Sequence, residues 1–246
     1  MNENQVNLIL HLIRSEALSF SPTQLKSGRI SPYYISLRKA MDTGNGIKKV
    51  SSAYLVKIIS DIGKDFDYIH GPAYAGIPLA SSIALSLLST LGLDLRYGYD
   101  RKEIKQYGHT NESSIIGDLR DGDRVLILDD VLTTGSTTLD SWKKLLAKGK
   151  NLRGAVVLVA IDREEIEEEF GLESKSDVIE ENIEVCSILK ISEIPKGPRL
   201  IKNGLDMLVF IKAYLVMLSK FIANYFLSTI VADHIASAIF LSSTNA

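Results

Sequence analysis

Two aspartates stand side by side in the stretch RVLILDDVLTTGSTTLDS, Arg124 to Ser141, where an apolar run ends. Adjacent carboxylates repel, and burying them without partners is costly. They become favourable when they face hydroxyl donors or a cation. A ribose 2′,3′-diol offers two O–H donors at matching separation, and Mg²⁺ can sit close by. After Asp129 and Asp130 come Thr133, Thr134, Gly135, Ser136 and Thr137, leading into a helical pattern. Backbone N–H groups and hydroxyls in such a loop surround a phosphate, aided by the helix dipole. Gly135 permits a tight turn without a Cβ. The stretch therefore reads as a cradle for a ribose 5-phosphate, with acids for the diol and a hydroxyl-rich loop for the phosphate. It is not a Walker loop, because the Gly-x4-Gly-Lys pattern is absent. Helix capping by Ser or Thr explains one or two of the hydroxyls but not the acid pair beside them.

Four further segments carry side chains suited to the same kind of ligand. Lys26-Ser27-Gly28-Arg29 precedes Ser31-Pro32-Tyr33-Tyr34; a cation beside a flat aromatic surface suits an anionic ring. Arg101, Lys102 and Lys105 place three cations within five residues, with Glu103 among them to orient the cations by ion pairing. The polar text from there to Gly117 favours a mobile loop, although a solvated charge run is the plainer reading. Gly71-Pro72-Ala73-Tyr74-Ala75-Gly76-Ile77-Pro78 gathers small residues that let backbone N–H groups approach an anion. Arg163, following Ala160-Ile161-Asp162, has a planar fork that suits a carboxylate, or equally an ion pair with Glu164 or Glu165.

The elements that must position these groups follow from periodicity. Val6, Leu8, Ile9, Leu12 and Ile13 fall near helical spacing and predict an amphipathic N-terminal helix. Ser-Gly-Arg and Ser-Pro punctuate two short extended pieces, around 24–26 and 33–37, which suggests a small hairpin-like lobe. A helix is expected over about 46–60, a strand at 68–70, a helix from Ile77 to about Leu91 and a strand at 93–99. Further strands are expected at 125–128, 155–161 and 183–189, with a helix from Thr137 to Lys148. This alternation predicts a parallel sheet with helices on both faces, whose ligands sit beyond the carboxyl ends of the strands. The loops at 71–76, 101–108, 129–137 and 162–163 all fall at that edge.

The 246 residues, 46% of them apolar, suffice for a full-sized core plus an appendage. A net charge of −2 excludes a broad basic surface for nucleic acid, so any anion site is a local cluster. Cys186 is the only cysteine, so no disulfide forms within the chain, as suits a reducing cytoplasm. Its apolar surroundings, IEVCSIL, suggest buried filler. The start of the chain lacks a basic n-region and a small-residue cleavage site, so no signal peptide is read there. From Leu205 the text turns strongly apolar, interrupted by Lys212, Lys220 and Asp233. No stretch there reaches about eighteen uncharged residues, the usual length of a spanning helix. One or two helices packed on the domain or on a partner subunit fit that pattern, and so does a membrane-associated tail.

The hydrophobic run, two acids and Thr-Thr-Gly-Ser resemble the phosphoribosyl pyrophosphate (PRPP) signature of type I phosphoribosyltransferases. The segments around Lys26, Tyr74, Lys105 and Arg163 come in the order found in the orotate phosphoribosyltransferase family. The resemblance implies a phosphoribosyltransferase domain over residues 1–199, with a hood at about 18–40, an α/β parallel-sheet fold, and an apolar helical extension at 200–246. It implies that Tyr74, Asp129, Asp130 and residues Thr133, Thr134, Gly135, Ser136 and Thr137 bind PRPP. It assigns Lys26, Tyr34, Thr133 and Arg163 to orotate, and Arg101, Lys102 and Lys105 to catalysis on the pyrophosphate. It further implies Mg²⁺ bound mainly through PRPP, and a homodimer in which the loop reaches the neighbouring subunit's site. Some family members carry Lys where Ala75 stands, which removes one pyrophosphate contact here, and some carry His where Tyr107 stands; His109 lies two positions later. A phosphoribosyltransferase for another base and a PRPP-sensing regulator share the central signature.

Overall fold

The computed structural model describes residues 1–20, 23–24, 30–101, 114–133, 135–149, 151–164 and 183–194. Lys26, residues 102–113, Thr134 and the expected extension at 200–246 lie outside the described residues, so the readings of Lys102, Glu103, Lys105, Tyr107 and His109 lie outside them too.

The order of elements is α1 (Glu3–Arg14), β1 (Leu18–Ser19), β2 (Thr23–Gln24), β3 (Ile30–Ser31), β4 (Tyr34–Ile35), α2 (Leu37–Ala40), α3 (Gly44–Lys57), β5 (Tyr68–Gly71), α4 (Gly76–Leu91), β6 (Arg96–Asp100), β7 (Ile115–Gly117), β8 (Val125–Leu132), α5 (Ser136–Lys148), β9 (Ala155–Asp162) and β10 (Ile183–Lys190). Six strands form one sheet in the order β10-β9-β8-β5-β6-β7. All neighbours in it run parallel except β6 and β7. The sequence thus predicts the parallel sheet correctly and misses its antiparallel edge. Strand β7 has only three residues, too few for a period-two pattern to show.

Strands β8 and β9 are buried on both faces, which is why they read as continuous apolar runs rather than alternating ones. Val125, Ile127, Val157 and Val159 share a core with Leu139, Trp142 and Leu145 of α5. Their neighbours Leu126, Leu128, Val156 and Leu158 are equally buried, and by strand alternation they serve the other face. Helix α4 packs against β5, β6 and β8, and α3 packs against α4. Full burial of each such aliphatic side chain contributes about 1.5–3 kcal/mol, enough to fix both strands deep in the sheet.

The small lobe is two short antiparallel pairs, β1 with β4 and β2 with β3, rather than one hairpin. Helix α3 ends in a wider turn over Ile58–Ile62. Cys186 is half-exposed, not buried filler, because β10 is an edge strand whose middle, Glu184 to Ser187, is exposed or half-exposed.

Candidate active site

The sequence places the end of β8 at Leu128; the strand continues to Leu132, so Asp129 and Asp130 lie within it. Pairing with β9 runs through Leu132 opposite Asp162, and this extra reach holds both acids in strand geometry. Asp129 is 8% exposed and Asp130 is half-buried. One oxygen of Asp129 accepts from the Asp130 N–H at 2.9 Å, and one of Asp130 accepts from the Val131 N–H at 2.9 Å. Burial, then the Asp130 charge, push the Asp129 carboxyl up to about 7. Tyr54 of α3 is fully buried and donates to the Asp129 carbonyl at 2.6 Å, fixing the backbone under the acid pair. Burial, and next the two nearby carboxylates, raise the Tyr54 phenol well above its ordinary value, so it remains a donor.

Beyond β8, Thr133 is half-buried and Gly135 is buried with φ +87°, a left-handed conformation that glycine adopts without strain. Gly135 itself is the cap of α5, and no side chain caps that helix. Capping therefore does not account for Thr133, Ser136 and Thr137. Ser136 and Thr137 are exposed on the first turn of α5, where N–H groups and the helix dipole favour an anion.

The loop after β5 folds tightly. A Cβ on Gly71 would lie 2.1 Å from the Gly76 carbonyl oxygen, so only glycine lets these backbones approach. The Gly76 N–H donates to the Pro72 carbonyl at 3.0 Å, and the Ala73–Tyr74 peptide is cis. Tyr74 projects outward, 55% exposed, while Ala75 is buried. Arg101 leaves β6 with its N–H donating to the Ser114 carbonyl at 2.7 Å, which closes the base of the segment between them.

Arg163 follows β9, and its N–H donates to the Leu132 carbonyl at 3.0 Å, which ties it to the strand of the acid pair. Its guanidinium lies 5.3 Å from the centre of the Tyr33 ring. The small lobe thus brings an aromatic face to the sheet edge, but through Tyr33 rather than Tyr34. Tyr34 pairs with Ser19, and the Lys39 ammonium lies 5.7 Å from its ring centre. The Glu164 carboxylate accepts from the Ser192 N–H at 2.8 Å.

One cluster escaped the sequence. His70 on β5 bonds Asp100 on β6 at 2.9 Å, and Ser141 of α5 donates to the other oxygen of Asp100 at 2.7 Å. The available signal was a pair of ionisable residues inside otherwise strand-like text, YIHG and GYDR.

The described edge thus gathers two carboxylates, a glycine turn at a helix start, a close-packed glycine loop, and an arginine over a tyrosine. Residues 38–187 match the phosphoribosyl transferase domain, and the chain belongs to that family. Within it, the chain is 35% identical over 200 residues to the orotate phosphoribosyltransferase of Bifidobacterium adolescentis, covering 78% of this chain and 85% of that one. It is 34% identical over 201 residues to the orotate phosphoribosyltransferase of Kluyveromyces lactis, covering 79% and 86%. In three dimensions it resembles the orotate phosphoribosyltransferase of Francisella tularensis with a TM-score of 0.64 and 28% identity, covering 86% of this chain and 98% of that one.

Proposed function

We propose that this chain is an orotate phosphoribosyltransferase, which converts orotate and PRPP to orotidine 5′-monophosphate and pyrophosphate in pyrimidine nucleotide synthesis. The observation that carries this reading is the meeting, at one sheet edge, of the Asp129–Asp130 pair and the Gly135 turn with Arg163 and Tyr33.

In this reading Asp129 and Asp130 accept from the ribose hydroxyls, and the loop from Thr133 to Thr137 holds the 5′-phosphate. Arg163 faces the orotate carboxylate and Tyr33 the flat ring, with Lys26 and Thr133 contributing to that pocket. The C1–O bond to pyrophosphate breaks as the C1–N bond to orotate forms, and the proton lost from that ring nitrogen passes to solvent or to the departing pyrophosphate. Positive character develops on the ribose while negative charge gathers on the leaving group, so no protein nucleophile is required. Catalysis is positioning and charge stabilisation. Arg101, Lys102 and Lys105 meet the departing pyrophosphate, together with Tyr74 and uncommitted backbone N–H groups of the loop between Gly71 and Gly76. The Asp129 carboxyl, raised by burial and the neighbouring charge, fits a site completed by a cation or by hydroxyl donors. Asp129 and Asp130 would stand near Mg²⁺ brought in with PRPP, and the ion would supply charge neutralisation there. We further place the enzyme in the cytoplasm as a homodimer whose 101–113 segment serves the partner's site. The single cysteine suits that compartment, and among the described residues no helix is long and apolar enough to cross a membrane.

Mixing the protein with PRPP, Mg²⁺ and orotate should consume orotate, followed by ultraviolet absorbance, with pyrophosphate released in equal amount. Turnover of adenine, hypoxanthine or uracil in its place would overturn the choice of base. Binding of PRPP with no turnover of any base would point to a regulator.

A further inference from the structure

A single buried carboxylate joins the three elements from which the site's loops spring. His70 is the second-last residue of β5, immediately before the Gly71–Gly76 loop, and is 0% exposed. Asp100 ends β6, immediately before Arg101, and is 5% exposed. Ser141 lies on α5, the helix that opens at the Gly135 turn, and is 1% exposed. His70 Nε2 and Asp100 Oδ1 are 2.9 Å apart, and Ser141 Oγ and Asp100 Oδ2 are 2.7 Å apart. Lys144, one turn further along α5, brings Nζ to 3.3 Å from the same Oδ2.

Such a network is an expensive way to fill space, because an apolar core of the same volume avoids desolvating a charge. What it adds is register. Hydrophobic packing lets a helix slide or rotate by small amounts at little cost, whereas two directed bonds from one carboxylate fix α5 against β6 and β6 against β5. His70 Nδ1 is buried with no hydrogen-bond partner among the described residues, so the proton belongs on Nε2, donated to Asp100. Burial pushes the Asp100 carboxyl up, but the bonds from His70 and Ser141 outweigh it and leave the group below its ordinary value, a charged acceptor.

We propose that Asp100, held by His70 and Ser141, is a positioning residue for the transferase reaction: it locks the pyrophosphate loop, the root of the Arg101 segment and the phosphate-binding helix into one arrangement at the sheet edge. The inference rests on the reading of that edge as the PRPP site. Misplacement of reacting groups by about 1 Å costs on the order of a hundredfold in rate, so a residue that touches no substrate controls turnover this way.

The test compares Asp100→Ala with Asp100→Asn, with thermal unfolding and circular dichroism measured in parallel. Asp100→Ala removes the ties to His70, Ser141 and Lys144 and should raise KM for PRPP and lower kcat, a loss of roughly ten- to a hundredfold in kcat/KM. Asp100→Asn keeps an oxygen for His70 and an amide for Ser141, and should restore kcat/KM to within about threefold of wild type. A folded Asp100→Ala protein with wild-type KM for PRPP and wild-type kcat would overturn the proposal, as would an Asn variant as impaired as the Ala variant. Should Asp100→Ala fail to fold, Ser141→Ala combined with Lys144→Ala decides, since together they cut both helix-side contacts and leave the His70 bond: a raised KM for PRPP supports the proposal and unchanged kinetics reject it. PRPP affinity by calorimetry separates the two levels of inference. If the wild type binds PRPP without using orotate, the choice of reaction fails, while the affinities of the variants still judge the positioning role. Wild-type turnover beside indifferent variants sinks the positioning role alone.

Discussion

At Asp129, burial and the neighbouring Asp130 charge oppose ionisation, and the proposed diol contacts would favour it. Burial and the Asp130 charge push the folded carboxyl up to about 7, against about 3.9 for an exposed aspartate. The folded protein therefore keeps a proton that the unfolded chain releases between those values. This contribution to stability is fully present below about pH 4 and is lost as pH rises through about 7. Asp67 and Asp100, lowered in the fold, act in the opposite sense, their contribution being lost only as pH falls below about 4. Urea unfolding of the ligand-free protein should thus show stability falling from pH 5 to pH 8, and Asp129→Asn should flatten that slope. PRPP hydroxyls favour the ionised acids, so affinity by calorimetry should rise over the same interval. Asp129→Asn combined with Asp130→Asn should weaken PRPP binding at every pH; unchanged affinity would remove the diol from these residues. The acid pair was plain in the sequence. Its burial was not, because Asp129 is covered by elements far away in the chain, including Tyr54 75 residues earlier.

At the scale of elements, the strands of the sheet were legible wherever the run was long and apolar, as in β8 and β9. Their ends were not, because the last residues of a strand are decided by the partner alongside. Asp129 and Asp130 belong to β8 only because β9 extends to Asp162 beside it. The loop from Gly71 to Gly76 shows the same dependence: small residues announced a close approach, and the fold shows that the approach is to the loop's own far end. Gly71→Ala should therefore cost about 1–3 kcal/mol, as overpacking of a tight site does. Its Cβ would meet the Gly76 carbonyl at 2.1 Å and Ala80 Cβ at 3.0 Å. Urea midpoints check the stability, and pyrophosphate affinity checks the loop. Wild-type values for both would mean that the loop tolerates a Cβ.

For the whole molecule, the proposed sharing of the 101–113 segment between subunits makes a prediction independent of any single contact. Lys105→Ala spoils the segment, and Asp129→Asn with Asp130→Asn spoils the sugar site, so each protein alone should be nearly inactive. After subunit exchange, mixing the two should restore about a quarter of wild-type activity, since half the dimers are hybrids with one intact site. No recovery after verified exchange would assign each segment to its own subunit's site.

The sequence by itself determined the chemistry and the order of the parts: adjacent acids, a hydroxyl-rich glycine turn, a small-residue loop, and an arginine after a strand, each at the end of an apolar run. Those signals are local, since residue type and short spacing decide which ligand group a loop can hold. Only the tertiary structure decided which groups meet. Tyr33 rather than Tyr34 faces Arg163, and His70, Asp100 and Ser141 come together from three elements. Such pairings depend on strand register and helix placement, which are set by packing summed over the whole core and cannot be paired up from any single stretch of sequence.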